Sequence, residues 1–217
     1  MNNPLIFIPV AILYLLVVSS LYVYGINFYY LSFLALRKGK NQSPRPSLNG
    51  HQRPPVTIQI PIYNEKYVSR RLIEAAAAIR YPADRLEIQV LDDSTDETRQ
   101  IVSETVEELR TTGLNIPHIH RADRTGYKAG ALQHGLTQAH GEYLAIFDAD
   151  FTPTEDFLER TIPCFEDPAI AFVQGRWGHL NADYSLLTTI QSLSIDAHFM
   201  VEQFSRSEGG YIFTFNG

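Results

Sequence analysis

Two carboxylates one residue apart, Asp148 and Asp150, are the residues of this sequence whose chemistry is easiest to specify. They follow the apolar run 143–147, which predicts a buried strand. Mg²⁺ and Mn²⁺ prefer oxygen ligands and usually take one or two carboxylates together with substrate phosphates. The pair therefore predicts a site for Mg²⁺ or Mn²⁺ that bridges to a diphosphate. A solvated loop is the alternative, and it is the commoner explanation of an isolated Asp-x-Asp.

A second acidic pair, Asp92 and Asp93, follows the predicted strand 86–91. A carboxylate at the end of a strand can accept hydrogen bonds from a nucleobase N–H or a ribose hydroxyl. The alternative is that Asp93 or Ser94 caps a helix that begins near Thr95. The two roles are compatible, because one residue can cap the helix while its neighbour binds.

Lys128 lies near the start of a predicted helix, 126–139. A lysine beside a helix N-terminus forms an anion site, since the backbone N–H groups and the ammonium attract the same charge. Lys128 is therefore predicted to contact a phosphate, with an ordinary surface lysine as the alternative. The sequence contains neither a G-x-x-x-x-G-K-[ST] motif nor a G-x-G-x-x-G motif after the first strand, so a P-loop and a dinucleotide site are not expected.

Trp177 and the pair His198 and Glu202 are weaker signals. Trp177 is the single tryptophan, and its ring either stacks on a sugar or packs in the core. His198 and Glu202 stand four residues apart on a predicted helical stretch, 183–204, which is a metal-ligand spacing without a third ligand. An amphipathic helix on the domain or the membrane surface is the favoured interpretation of that stretch.

The elements that must position these residues alternate between strand and helix. Strands are predicted at 56–62, 86–91, 116–120, 143–147 and 169–174, and helices at 68–79, 95–110, 126–139 and 154–165. This alternation predicts an α/β fold with a mostly parallel sheet and helices on both faces. Right-handed crossovers bring the carboxyl ends of the strands to one edge, where the polar clusters are expected to meet.

The first 36 residues contain no charged side chain and are almost wholly apolar from Leu5 to Leu36. Roughly 20 residues span the hydrocarbon of a bilayer, so residues 1–36 predict one transmembrane helix. A cleaved signal peptide is a poor alternative, because the run is too long and no basic segment precedes it. Positive residues follow the run and none precedes it, which predicts a cytoplasmic location for the rest.

Residues 37–55 are rich in Pro, Ser, Asn and Gly and are predicted to be a linker. The single cysteine, Cys164, excludes an intrachain disulfide and suits a reducing compartment. The net charge of −6 gives no global basic surface, so nucleic acid is not an expected partner.

Taken together, the motifs resemble those of the family 2 processive glycosyltransferases. The branch they resemble most is the cellulose-synthase-like A and C group, which contains the glucomannan 4-β-mannosyltransferases and β-1,4-glucan synthases. The segments that carry the resemblance, in order, are 61–65 (PIYNE), 89–96 (QVLDDSTD), 126–132 (GYKAGAL), 147–151 (FDADF), 173–177 (VQGRW), 198–203 (HFMVEQ) and 213–217 (FTFNG).

The resemblance implies a GT-A fold over 56–217, a Rossmann-like mixed sheet. It also implies inverting transfer of a hexose from GDP-mannose or UDP-glucose to the 4-hydroxyl of a growing β-1,4-glycan. Tyr63 and Glu65 are then expected beside the nucleotide, and Asp93 with Asp92 at the base or ribose. The other expected contacts are Lys128 and Asp148 with the donor, Asp148 and Asp150 with the metal, and Trp177, Phe215, Asn216 and Gly217 on the acceptor side.

The sequence also departs from the family pattern. The family's general base, the Asp of a Thr-Glu-Asp motif, and its Gln-x-x-Arg-Trp motif are expected beyond Gly217, and segment 173–177 only looks like the latter. We therefore expect an N-terminal fragment that binds a nucleotide sugar weakly and does not polymerise it. The alternatives are a transferase to a lipid phosphate and a non-catalytic, membrane-anchored nucleotide-binding protein.

Overall fold

The computed structural model describes residues 4–38 and 53–211, which form two compact units. One unit contains residues 53–173, and the other combines the N-terminal helix with residues 174–211. The sequence placed 56–217 in a single domain, whereas the structure groups its C-terminal part with the helix. Most of the predicted linker and the predicted acceptor-side residues Phe215, Asn216 and Gly217 lie outside the described residues.

The unit of residues 53–173 is built on a four-stranded parallel sheet. Across the sheet the strands lie in the order β3 (118–120), β2 (86–92), β1 (56–62) and β4 (143–146). Its register pairs Val56 with both Leu86 and Tyr143, and Val90 with His118. The prediction of a parallel α/β sheet is therefore confirmed. In chain order the elements are β1 (Val56–Ile62), α2 (Ser69–Ala77), β2 (Leu86–Asp92), α3 (Thr98–Arg110), β3 (His118–His120), α4 (Tyr127–Leu136), β4 (Tyr143–Ile146) and α5 (Phe157–Thr161).

The two faces of the central strands differ in chemistry. On one face, Ile58 and Ile60 belong to the apolar core that also contains buried side chains of α2 and α3. On the other face, Gln59 donates to Gln89 at 3.0 Å. Helix α4 covers this polar face at close range, because a Cβ on Gly135 would lie 2.7 Å from the Gln59 amide nitrogen. The glycine thus seats α4 against the sheet and fixes where its first turn lies.

Helix α3 begins at Thr98, three residues later than the predicted start. The predicted capping of this helix by Asp93 or Ser94 is wrong, since the residue in the N-cap position is Glu97. The side chains of Asp93 and Ser94 are engaged elsewhere, with Arg121 and with the backbone of Asn64.

The predicted strand at 169–174 is also wrong, because these residues have irregular backbone. Within the described part of the chain, β4 pairs only with β1 and keeps a free edge, but residues 169–174 do not pair with it. Ile170 and Phe172 are 37% and 38% exposed. The predicted helix at 154–165 is split into α5 and a 3₁₀ turn, Ile162–Glu166, that contains Pro163.

The second unit is helical. It contains α1 (Pro4–Lys38), a 3₁₀ turn (Ala182–Tyr184), α6 (Leu186–Ala197), a π-helical turn (His198–Gln203) and α7 (Phe204–Glu208). The C-terminal part of α1 packs against α7, where the buried Ser205 hydroxyl donates to the Leu31 carbonyl at 2.7 Å. The predicted helical stretch 183–204 is helical from Leu186 onwards and contains the π-helical turn, whereas Ser185 before it has extended backbone.

Candidate functional site

A cleft of about 490 Å³ opens at the carboxyl ends of β1, β2 and β4, beside the first turns of α4. The structure brings together in this cleft six of the side chains that the sequence selected. The predicted residues in its lining are Tyr63, Glu65, Asp93, Lys128, Asp148 and Asp150, and the others are Pro61, Ile62, Arg124, Ala131 and Ala149.

Strand alternation decides which residue of the first acidic pair reaches the cleft. Successive side chains of β2 point to opposite faces of the sheet. Gln89 lies on the polar face under α4, and Asp93 continues that alternation toward the cleft. Asp92 continues the alternation of Ile88 and Val90, and it is absent from the cleft lining.

Asp92 is fully buried and completely hydrogen-bonded. Its Oδ1 accepts from the Ser94 N–H at 2.8 Å, and its Oδ2 lies 3.0 Å from Nε2 of His118. Burial alone would raise the pKa of this carboxyl, but the hydrogen bonds from His118 and Ser94 outweigh it and lower the pKa. This geometry does not present Asp92 to a base or ribose, contrary to the expectation. Asp92 instead links the end of β2 to His118 of β3 and to the backbone of Ser94.

Asp93 lines the cleft, and both oxygens of its carboxylate accept hydrogen bonds from Arg121. The guanidinium donates from Nε to Oδ1 at 2.8 Å and from a terminal nitrogen to Oδ2 at 2.5 Å. Hydrogen bonding to Asp93 raises the pKa of Arg121. Arg121 also donates to the carbonyls of Thr125 and Tyr127, at 3.3 and 3.2 Å. It thus ties Asp93 to the loop that leads into α4, a role that the sequence pattern did not reveal.

The loop after β1 is fixed by Asn64, which stands between two predicted site residues. Its backbone is left-handed, with φ of 55°, a conformation that asparagine tolerates better than most residues. The side-chain oxygen of Asn64 accepts a hydrogen bond from the Thr95 backbone N–H at 2.9 Å. The backbone N–H of Asn64 donates to Ser94 Oγ at 3.0 Å. These bonds lock the loop carrying Tyr63 and Glu65 to the loop after β2.

The tight turn into α4 explains the glycines of the segment 126–132. Gly126 has a φ of 75° and the following Tyr127 a φ of 50°. A Cβ on Gly130 would lie 2.0 Å from the Thr125 carbonyl oxygen, so that position accepts only glycine without a shift of the backbone. The turn places Lys128 in the first turn of α4, facing the cleft.

The second acidic pair is open to ligands. Lys128 Nζ lies 2.5 Å from Asp148 Oδ1, and the two side chains are 41% and 26% exposed. Asp150 is exposed, and its side chain has no hydrogen bond or ion pair within the described residues. Lysine and carboxylates therefore meet at one end of the cleft.

The donor set around Asp148 and Asp150 fits a divalent cation that the protein holds only in part. Among residues 4–38 and 53–211, no group of three or more His, Cys, Asp or Glu side chains is arranged to enclose a metal ion. Mg²⁺ and Mn²⁺ at phosphate sites take only one or two carboxylates and complete their shell with phosphate oxygens and water. Two carboxylates beside a phosphate-binding lysine suit that pattern.

Arg124 is a cleft residue that sequence reasoning missed. The carbon of its guanidinium lies 3.3 Å from the centroid of the Tyr63 ring and 5.1 Å from that of Tyr127. The signal available in the sequence was a second arginine three residues after Arg121, in the same loop.

The remaining predicted residues lie in the helical unit. Trp177 packs against Phe199, with 5.7 Å between the ring centroids, and both line a pocket of about 310 Å³ with Ser194, Ile195 and His198. His198 Nδ1 lies 3.1 Å from Glu202 Oε2. The pair is engaged internally and, in the part of the chain that the structure describes, is joined by no third metal ligand.

Comparison with known proteins adds to this geometry. The family described as glycosyl transferase family 2 matches residues 57–210. The chain is 48% identical over 169 residues to glucomannan 4-beta-mannosyltransferase 2 of Arabidopsis thaliana, covering 76% of this chain and 32% of that protein. It is 46% identical over 177 residues to glucomannan 4-beta-mannosyltransferase 1 of Oryza sativa subsp. japonica, covering 79% of this chain and 34% of that protein.

A solved structure is similar as well, that of a mannosyltransferase from Pyrobaculum calidifontis in complex with GDP-Man and Mn²⁺. The TM-score is 0.56 at 29% identity, covering 67% of this chain and 43% of that chain. The described sheet therefore has the GT-A type of fold. The chain spans about a third of the length of the two curated relatives.

Proposed function

Because the chain belongs to glycosyl transferase family 2, we propose that its cleft binds a nucleotide-diphosphate sugar for transfer of the hexose to a growing β-1,4-glycan. The observation that carries this proposal is the convergence of Asp148 and Asp150 with Lys128 in a cleft at the carboxyl ends of parallel strands. Ligands bind at that edge in open α/β sheets. The two plant relatives are named as glucomannan mannosyltransferases, which supports GDP-mannose as the first donor to test and leaves UDP-glucose as the second.

The transfer proceeds with inversion at the anomeric carbon. The 4-hydroxyl oxygen of the acceptor forms a bond to carbon 1 of the hexose, and the bond from carbon 1 to the diphosphate oxygen breaks. The nucleoside diphosphate leaves with the electron pair, and a general base takes the proton of the hydroxyl. We assign that base to no described residue, because the carboxylates of the cleft serve the donor side.

Each cleft residue has a separate role in donor binding. Lys128, in the first turn of α4, contacts the diphosphate with help from the helix N-terminus. Asp93, held rigid by Arg121, faces the nucleoside, as does Glu65. Asp148 exchanges its contact with Lys128 for one with the donor and metal.

Asp148 and Asp150 would hold Mg²⁺ or Mn²⁺ between the protein and the diphosphate. A bound cation there would supply charge neutralisation of the leaving group as the bond to the sugar breaks. The related structure with GDP-Man and Mn²⁺ supports a divalent cation in general.

We also propose that α1 anchors the chain in a bilayer. The segment Phe7–Arg37 is 31 residues long, contains an 18-residue window with a mean hydropathy of 2.1, and is long and apolar enough to cross a membrane. At 1.5 Å per residue its length of about 46 Å exceeds the hydrocarbon thickness of about 30 Å. The C-terminal turns of α1, where the Leu31 carbonyl accepts a hydrogen bond from the Ser205 hydroxyl, then lie at the membrane surface. Positive residues after the helix orient residues 53–211 toward the cytoplasm.

A calorimetric titration of the 217-residue chain in detergent, with Mn²⁺ present, tests the proposed donor class. We expect GDP-mannose to bind more tightly than mannose or GMP, because the diphosphate contributes contacts with Lys128 and the metal. Binding of neither GDP-mannose nor UDP-glucose would contradict the proposal.

A further inference from the structure

Arg124 lines the cleft and has no ionic partner among the described residues. Within the described residues its side chain makes no hydrogen bond or ion pair, and its Nε is buried without an acceptor. Its neighbours are the aromatic rings of Tyr63 and Tyr127. A guanidinium carries five N–H donors, so its capacity for hydrogen bonds to an anion is unused.

The other cations around the cleft are committed to carboxylates. Arg121 grips Asp93 with two hydrogen bonds, and Lys128 lies 2.5 Å from Asp148. A diphosphate that enters the cleft therefore meets one cation, Arg124, whose recruitment breaks no ion pair among the described residues. Bidentate recognition of phosphate is the task for which the planar guanidinium is best suited.

The spacing between Arg124 and Tyr63 assigns a specific role to the tyrosine. A guanidinium carbon 3.3 Å from the ring centroid is in direct stacking contact. A nucleobase between the two groups would need two stacking distances of about 3.5 Å each, so none fits there. The ring face that Arg124 covers thus serves to hold the guanidinium.

We propose that Arg124 binds the donor's phosphates together with Lys128, and that Tyr63 is the positioning residue that holds the Arg124 guanidinium over the cleft. This deepens, and rests on, the proposed binding of a nucleotide-diphosphate sugar. It changes the expected role of Tyr63, which acts on the nucleotide through Arg124. The ligand chemistry that the pair recognises is a diphosphate, irrespective of the base.

The test compares GDP with inorganic pyrophosphate, which has the phosphates and no base, by titration into the whole chain with Mn²⁺. We expect Arg124→Gln to weaken both ligands by about 10- to 100-fold, the range for one lost hydrogen-bonded charge contact. Arg124→Lys should recover part of the loss, since it keeps the charge without the planar fork. The matched control is Arg99→Gln, which removes an exposed arginine of α3 that does not line the cleft.

Variants of Tyr63 separate its positioning role from a direct one. Tyr63→Phe keeps the ring and should bind both ligands within about 2-fold of the unaltered chain, whereas Tyr63→Leu should approach Arg124→Gln. The double variant Tyr63→Leu/Arg124→Gln should be no weaker than Arg124→Gln alone, because both changes remove the same contact. Thermal midpoints of all variants, measured in parallel, separate loss of binding from loss of folding.

Three outcomes overturn the inference. Unchanged pyrophosphate affinity in a folded Arg124→Gln variant would assign Arg124 to the base or to no ligand, while the proposed function stands. Pyrophosphate that fails to bind the unaltered chain, when GDP binds, would show that no separate phosphate subsite exists. Failure of GDP, GDP-mannose and UDP-glucose to bind the unaltered chain would remove the proposed function together with the inference.

Discussion

The two acidic pairs of this chain, Asp92-Asp93 and Asp148-x-Asp150, lie at the carboxyl ends of the two parallel strands that flank β1, and they have opposite surroundings. Asp92 is fully buried and Asp93 is 5% exposed, and both carboxylates are saturated by His118, Ser94 and Arg121. Asp148 has one ionic partner, Lys128, and Asp150 is exposed. The first pair is committed to contacts within the protein, and the second pair is left open for a ligand.

Aspartates at the same edge of the sheet therefore have two different roles, one in stabilising the fold and one in binding a ligand. A buried carboxylate has to have its oxygens satisfied, because an unpaired buried charge costs several kcal/mol. A carboxylate at the mouth of the cleft keeps its hydration and can exchange water or a lysine for a cation. Variants of the two pairs are therefore expected to fail in different assays.

The largest effect on stability is expected for Asp92→Ala. The change leaves the His118 ring and the Ser94 N–H without their buried acceptor, and we predict a loss of about 3 kcal/mol in the free energy of unfolding. Asp148→Ala is the matched control, because it removes the same group from a partly exposed site and should change stability by less than about 0.5 kcal/mol. Denaturation followed by circular dichroism measures both. Equal effects of the two substitutions would abolish the distinction between the pairs.

A smaller loss is expected for Arg121→Lys. Lysine keeps the charge but cannot donate to both oxygens of Asp93 and to the loop carbonyls at once, so we predict a loss of about 1–2 kcal/mol. Arg70→Lys is the control, since Arg70 makes its ion pairs with Glu74 and Glu108 at an exposed surface and should matter by less than about 0.5 kcal/mol. The same denaturation experiment measures both, and a neutral Arg121→Lys would show that Asp93 needs no clamp.

The smallest effect is a pH dependence. The pKa of Asp92 is lower in the folded chain than its ordinary value of 3.8. The stabilisation it provides is therefore complete above that ordinary value and is lost as the pH falls through the lower, folded value. We predict that the loss of stability below about pH 4 is shallower in Asp92→Asn than in the unaltered chain. Identical acid profiles for the two proteins would contradict the assignment.

Much of the sheet was predictable because its signals are local. The apolar residues that alternate with Thr57, Gln59, Glu87 and Gln89 in β1 and β2 predict strands with one apolar face. The polar residues that follow the strands predict a ligand-binding edge of the sheet. The period of two also contained the difference between Asp92 and Asp93, since adjacent strand residues face opposite sides. The sequence pattern did not show which face of the sheet α4 covers.

The features that escaped prediction depend on contacts between distant segments. Arg121 and Arg124 stand in one loop with the same side chain, and only the three-dimensional structure assigns the first to Asp93 and the second to Tyr63. The segment 169–174 has the apolar composition of a strand, but it pairs with no described strand although β4 has a free edge. Pairing depends on contacts between distant segments, which composition does not report, and the prediction there was wrong.

The central claim is that the open pair, Asp148 and Asp150, binds the donor through a divalent cation. The most direct measurement is calorimetric titration of GDP-mannose and UDP-glucose into the unaltered chain and into Asp148→Asn/Asp150→Asn, each with Mn²⁺ and with EDTA. We predict that Mn²⁺ strengthens binding of the preferred donor to the unaltered chain by about 10-fold or more, equivalent to about 1.4 kcal/mol, and that the double variant loses this dependence while remaining folded. Donor binding that is equally tight in EDTA, or an undiminished Mn²⁺ effect in the double variant, would contradict the claim.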